Sequence, residues 1–307
     1  MKKITNFFIF LAFAFLAFSF NPTKAMNDEV TPLLQATEEQ EPTITNLTKD
    51  EMLEGCMRIK EKTVINGNGH TLYLGNGRIV VENAELILEN VTIKGLKETN
   101  ILCVGPNSKI TILGNVTWLL CGNYKFLNGS FHVLENSQFT IIKDPEMQRT
   151  VERTLYQFPY FGYFTSEVSG IANNAKLIMS DITFFYNPST KPFTLDDIVS
   201  TLFPTKSTPK IILEAKNSTL SLNNILLLFS ITPLKLTTGT LELANNIHIV
   251  SRVKNSLILG KEGSSLKVNF IEKPVTFMSK IKTGKGQYQE IDPIYMIKRK
   301  NVITSSE

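Results

Sequence analysis

The chain has 307 residues, 42% of them hydrophobic and 20% charged, with 32 Lys and Arg against 28 Asp and Glu for a formal net charge of +4. A chain of this length can bury a sizeable core without a disulfide frame. Loss of residues 1–25 would remove Lys2, Lys3 and Lys24 and no acid, lowering +4 to +1, and a chain that near neutral offers nucleic acid no global attraction.

The first element in chain order is a secretory signal. Lys2 and Lys3 precede an apolar run from Phe7 to Phe20, and Thr23 and Ala25 stand where a signal peptidase reads small residues, so cleavage is expected after Ala25. The run is too short to span: about 14 residues at ~1.5 Å rise cover ~21 Å of a hydrocarbon core of ~30 Å. No later stretch reaches spanning length, so the mature chain is expected without a transmembrane segment, secreted, periplasmic or on the cell surface. Residues 26–46 are acidic, hold two prolines and lack apolar periodicity, the composition of a flexible linker.

Thr48-Lys49-Asp50-Glu51 reads as a capping box, with Met52, Leu53, Cys56 and Met57 on one helical face. A helical cap over 47–62 would cover the open end of a solenoid, and the next two hundred or so residues carry the repeat of one. Glu85-Leu-Ile-Leu-Glu-Asn-Val-Thr-Ile93 returns as 109–118, 130–140, 176–184, 219–225, 240–249 and 265–270. With Leu86, Ile110, Phe131, Leu177, Leu220, Leu241 and Leu266 as equivalents, the steps are 24, 21, 46, 43, 21 and 25 residues. The long steps read as near-doubles with one coil disguised in each. Strand alternation repeated at this period is the mark of a solenoid.

Each unit breaks between two half-strands at Asn or Asp: Asn90, Asn115, Asn136, Asp181, Asn224 and Asn246. These types tolerate the left-handed region, and stacked at ~4.8 Å they can hydrogen-bond as a ladder. The opening coil, Val64-Ile-Asn-Gly-Asn-Gly-His-Thr-Leu72, together with the Asn column, resembles the right-handed parallel β-helix superfamily typified by pectate lyase and polygalacturonase. The chain is also similar to secreted bacterial β-helix repeat proteins. The resemblance implies an all-β, right-handed parallel β-helix over 63–278, with roughly eight to ten coils, and a C-terminal cap or tail over 279–307.

Two stretches leave the register. Residues 144–168 open with Asp144-Pro145-Glu146 as a helix start and end in an aromatic run; residues 187–208 hold three prolines around Thr194-Leu-Asp-Asp197. Both are expected to project as helical or aromatic insertions.

Chemistry is sparse. The superfamily's lyases and glycosidases imply acid clusters or paired carboxylates on an outward face. The outward columns here are Thr-rich and mixed, and the consecutive aspartates and Gly-His-Gly of polygalacturonases are not in the chain, so no catalytic residue is carried over. His70, His132 and His248 fall on different coils without acid or cysteine at ligand spacing, and are read as surface or turn residues rather than metal ligands. Gly67-Asn-Gly69 and Gly75-Asn-Gly77 lack the helix and Lys of a phosphate loop and read as turns. No cofactor is expected. Of the cysteines, Cys103 and Cys121 lie 18 residues apart, near one repeat; a bridge between them competes with three buried thiols, the preferred state.

The aromatic run offers two readings. Tyr156, Phe158, Tyr160 and Tyr163 are either a contact patch, with Arg149 and Arg153 nearby, or part of a lid packed on the solenoid, the preferred alternative. The functional expectation is an exported, non-catalytic protein whose solenoid presents a face to a protein or glycan of the cell surface or envelope. The competing class is a polysaccharide lyase or glycoside hydrolase drawing on Glu146, Glu152, Glu167, Asp196 and Asp197.

Overall fold

The computed structural model describes residues 41–105, 107–147, 158–188, 210–229, 233–251, 257–260, 265–270, 280–283, 287–290, 294–296 and 304–305. They form an all-β parallel solenoid of about eight turns, and no helix occurs among them. Each turn contributes a strand to successive sheets, so neighbours in a sheet come from successive turns.

The first sheet stacks seven strands in parallel: Thr43–Asn46, Thr63–Asn66, Glu85–Glu89, Lys109–Leu113, Ser130–Val133, Ser169–Ile171 and Ile211–Leu213. Leu86 lies beside Ile110 and Ile110 beside Phe131, as the repeat predicts. The second sheet runs from Glu51–Met52 through Thr71–Tyr73, Thr92–Glu98, Asn115–Phe126, Gln138–Lys143, Lys176–Ser180, Thr219–Phe229 and Thr240–Ser251 to Lys267–Phe270 and Thr304–Ser305. Tyr160–Tyr163 and Thr183–Tyr186 join its flank, stacked on residues 124–126 and 226–229. A three-stranded third sheet, Cys56–Ile59, Arg78–Glu82 and Ile101–Val104, closes the early turns.

Alternation sends one set of side chains inward. Leu86, Leu88, Ile110, Ile112, Leu177, Met179, Leu241 and Leu257 are fully buried. Each such side chain contributes about 1.5–3 kcal/mol on leaving water. Aromatic rings stack in register along the interior: Tyr124 on Phe161 on Phe184, and Phe126 on Tyr163 on Tyr186, with centroids 5.7–6.0 Å apart.

Several expectations change. Residues 47–62 are not a helical cap: they carry Glu51–Met52 and Cys56–Ile59, paired in parallel with the following turn. Asp50, read as part of a capping box, accepts the Thr71 N–H at 2.9 Å instead, tying two turns together. The linker also ends early, because Thr43–Asn46 is already a strand. Past 278, Ile294–Met296 and Thr304–Ser305 still pair in parallel with solenoid strands, beside an antiparallel hairpin of Lys280–Thr283 and Gln287–Glu290.

The long repeat steps hide no coil. Gln138–Lys143 pairs directly with Lys176–Ser180, which pairs directly with Thr219–Phe229. The repeat motif instead changes face along the chain: Leu177 stacks on Phe139 of the second sheet, not on Phe131 of the first, and Leu241 pairs with Val268 rather than Leu266. The insertion over 144–168 is partly solenoid, since Tyr160–Tyr163 is a strand of the stack. The helix expected from Pro145 falls mostly on 148–157, outside the described residues, as does nearly all of 187–208.

The Asn column proves to be two corners. Asn90, Asn136 and Asn174 take positive φ between the first and second sheets, whereas Asp181, Asn224 and Asn245 do so at a second bend. Asn115 and Asn246 are not in that region: Gly114 and Asn245 hold it. A ladder does form at the second corner, where Asn224 Nδ2 donates to Asp181 Oδ1 and Asn245 Nδ2 to Asn223 Oδ1, both at 2.6 Å.

Candidate functional site

In Tyr160–Tyr163 alternation decides which aromatics face out. Phe161 and Tyr163 point into the core and are fully buried; Tyr160 and Gly162 point outward. Gly162 has no side chain, and Tyr160 and Phe164 fold over the space a Cβ would need, with Tyr160 Cε1 2.7 Å from it. Phe185, the register partner of Gly162, completes an outer cluster with centroids 5.8 Å from Tyr160 and 5.4 Å from Phe164.

Beside this cluster lies a depression of about 410 Å³ lined by Asn123, Lys125, Phe158, Tyr160, Thr183 and Leu228. Four strands supply its walls, brought together by parallel stacking that sets Tyr160 against Thr183 and aligns Phe185 with Leu228. Asn123 fixes the rim by accepting the Tyr160 N–H through Oδ1 at 3.2 Å. Thr183 Oγ1 is buried and has no hydrogen-bond partner. Burial also pushes the Tyr160 hydroxyl above the usual phenol range.

Aromatic and aliphatic walls with a few polar groups suit a ligand that has both an apolar face and hydroxyls. The lining holds no carboxylate, imidazole or thiol; its titratable groups are the Lys125 ammonium and the Tyr160 phenol.

The expected patch is therefore divided. Phe158 and Tyr160 line the depression, half-buried; Tyr163 does not, being a core residue whose hydroxyl lies within hydrogen-bond distance of Ser169 Oγ, the Lys210 carbonyl and the Glu167 carbonyl, donating to a carbonyl and able to accept from Ser169. Tyr156, Arg149, Arg153 and the cleavage residue Ala25 lie outside the described residues. Asn123, Lys125, Thr183 and Leu228 carried no local signal; only the stacking register between turns would have found them.

Of the acids assigned to the competing enzyme reading, the two described ones, Glu146 and Glu167, are not in the lining of the depression. Glu146 is paired with Lys94 at 2.5 Å, and Glu167 accepts from Ser166 Oγ at 3.2 Å, while Glu152, Asp196 and Asp197 lie outside the described residues. Among the described residues no three His, Cys, Asp or Glu side chains gather as metal ligands. The cysteines are all free, but only Cys103 is buried; Cys121 is half-buried and Cys56 exposed, correcting the expectation of three buried thiols. No described helix is long and apolar enough to cross a membrane. No family model, curated protein or solved structure matches the chain.

Proposed function

We propose that this chain is an exported parallel β-helix of the pectin-lyase-like kind that binds a glycan of the cell surface or envelope, with the depression around Tyr160 as the contact. The observation that carries the reading is the pairing of ring surfaces from Phe158 and Tyr160 with the polar side chains of Asn123 and Lys125 in one depression. A pyranose ring offers an apolar face to stack and hydroxyls for such polar groups to bond. Export after Ala25 is supported by the basic start and the short apolar run. Right-handed coiling is the sense that parallel crossovers take. At this site the role is binding rather than bond cleavage.

Residues 26–307, purified, should co-sediment with an insoluble envelope polysaccharide. Tyr160→Ala should weaken that binding at least about tenfold, about 1.4 kcal/mol, with Lys125→Ala in the same direction. Equal binding by parent and both variants would end the proposal. Release of soluble sugar from the same polysaccharide, with or without calcium, would favour the enzyme reading instead.

A further inference from the structure

The polar groups of the depression carry a chemical preference of their own. Alternation in Asn115–Phe126 sends Tyr124 and Phe126 into the core and leaves Asn123 and Lys125 outward and exposed. Lys125 is the register partner of Gly162, the glycine over which the Tyr160 ring folds. Adjacent strands lie ~4.8 Å apart, so the stem of Lys125 stands beside that ring.

The polar groups with a fixed sense are donors. Asn123 Oδ1 already accepts the Tyr160 N–H at 3.2 Å, so what Asn123 chiefly offers a ligand is its Nδ2 amide. The Lys125 ammonium donates and cannot accept. The hydroxyls of Tyr160 and Thr183 can turn either way, and the lining holds no carboxylate.

The Lys125 charge is not matched from outside the depression either. At other outward strand positions lysines face acids: Lys94 pairs with Glu146, Lys109 Nζ with Glu85 Oε1 at 2.9 Å, and Lys176 Nζ with Glu242 Oε2 at 2.7 Å. Lys125 has no ion-pair partner among the described residues; Glu98, the register partner of Tyr124, is exposed and forms no ion pair with it. A neutral sugar hydroxyl can accept from an amide and an ammonium, but an oxyanion makes charge-assisted bonds roughly twice as strong. At an exposed rim that gain is screened, so it should fade as salt rises.

We propose that the glycan bound here carries an oxyanion, a phosphate or carboxylate on the sugar, held by Lys125 and Asn123 while the ring stacks on Tyr160. The inference rests on the glycan-binding reading and adds the charge of the ligand to it.

The test is co-sedimentation of residues 26–307 with three matrices of one β-glucan backbone: unmodified cellulose, carboxymethyl-cellulose beads and phosphocellulose. Retention at low salt should be at least about tenfold stronger on a charged matrix than on the unmodified one, and the stronger of the two charged matrices identifies the oxyanion. Lys125→Gln, which keeps a donor and loses the charge, should bring retention down to the neutral level and remove its salt dependence, and Lys125→Arg should restore both. Lys216→Gln, at an exposed position outside the depression, should change nothing, which separates site binding from plain ion exchange. Equal retention on all three matrices, weakened throughout by Tyr160→Ala, would keep the glycan reading and overturn the anionic preference alone. A preference that survives Lys125→Gln, or that Lys216→Gln reduces as much, would overturn it too. Retention that Tyr160→Ala leaves unchanged on every matrix would remove the glycan reading and this inference together.

Discussion

Asn90 holds φ at 45° and, through Oδ1 at 3.0 Å, accepts the N–H of Asn115 in the next turn. One side chain thus permits the bend and ties it to its neighbour. Asn115 itself is an exposed strand residue, and Gly114 takes the left-handed position, where a Cβ would collide with Asn90 Oδ1. Asn90→Ala should therefore cost about 1–3 kcal/mol, from backbone strain and an unmade bond, whereas Asn115→Val should cost less than ~1 kcal/mol because a β-branched residue suits a strand. Urea midpoints of the two variants check the order. The Asn and Asp signal at the corners was legible because few residue types take positive φ. Which of two adjacent candidates takes it was not, since Gly114-Asn115 and Asn245-Asn246 each offer two. Only contact with the preceding turn decides.

At the scale of elements, Tyr160–Tyr163 shows how one strand divides between core and surface. Tyr163 stacks on Phe126 and Tyr186 and is fully buried, while Tyr160 rests on the outer side. Tyr163→Ala should destabilise by about 3–5 kcal/mol, the range for deleting a buried aromatic, and Tyr163→Phe by about 1–3 kcal/mol through the partners of its hydroxyl. Tyr160→Ala should cost less, about 1–2 kcal/mol from its contacts with Phe164 and Phe185, which leaves the solenoid folded for the binding assay. Chemical denaturation of the three variants measures this. The run's strand character was obscured because aromatics at consecutive positions blur alternation, and because Pro145 announced a helix nearby. The first turn hid its strands for a related reason. Thr48-Lys-Asp-Glu51 satisfies a local helix rule, but tertiary pairing overrides it: Glu51 and Met52 pair with Leu72 and Tyr73 of the next turn. The functional depression was the least legible feature, since its walls come from four strands separated by up to about a hundred residues.

For the solenoid as a whole, each turn is stabilised by its own packing and by its two neighbours, so position along the stack sets local stability. The solenoid class was legible because one apolar pattern repeats, yet the stacking order was not, since the same half-strand–Asn–half-strand pattern serves two corners. Among the described residues the first turn pairs on one side only, and Ile44 and Met52 there are 59% and 68% exposed. The cysteines report both regions, Cys56 exposed in the first turn and Cys103 buried in the third, where burial pushes its thiol pKa up to about 12 from an ordinary 9.0. A neutral thiol is a poor nucleophile, so at neutral pH a maleimide should modify Cys56 within minutes and Cys103 only as fast as the stack opens. Burial also raises Tyr124, Tyr163 and Tyr186 above the ordinary 10.0. All four groups release protons more readily unfolded than folded. Their contribution is therefore fully present below pH ~9 and is lost as pH climbs past the ordinary thiol and phenol values. Melting temperature should fall steadily from about pH 9 upward, with most of the tyrosinate absorbance appearing in the unfolding step rather than before it. Titration of Tyr163 and Tyr186 ahead of unfolding, or Cys103 labelling as fast as Cys56, would show that the interior aromatic stack is open to water.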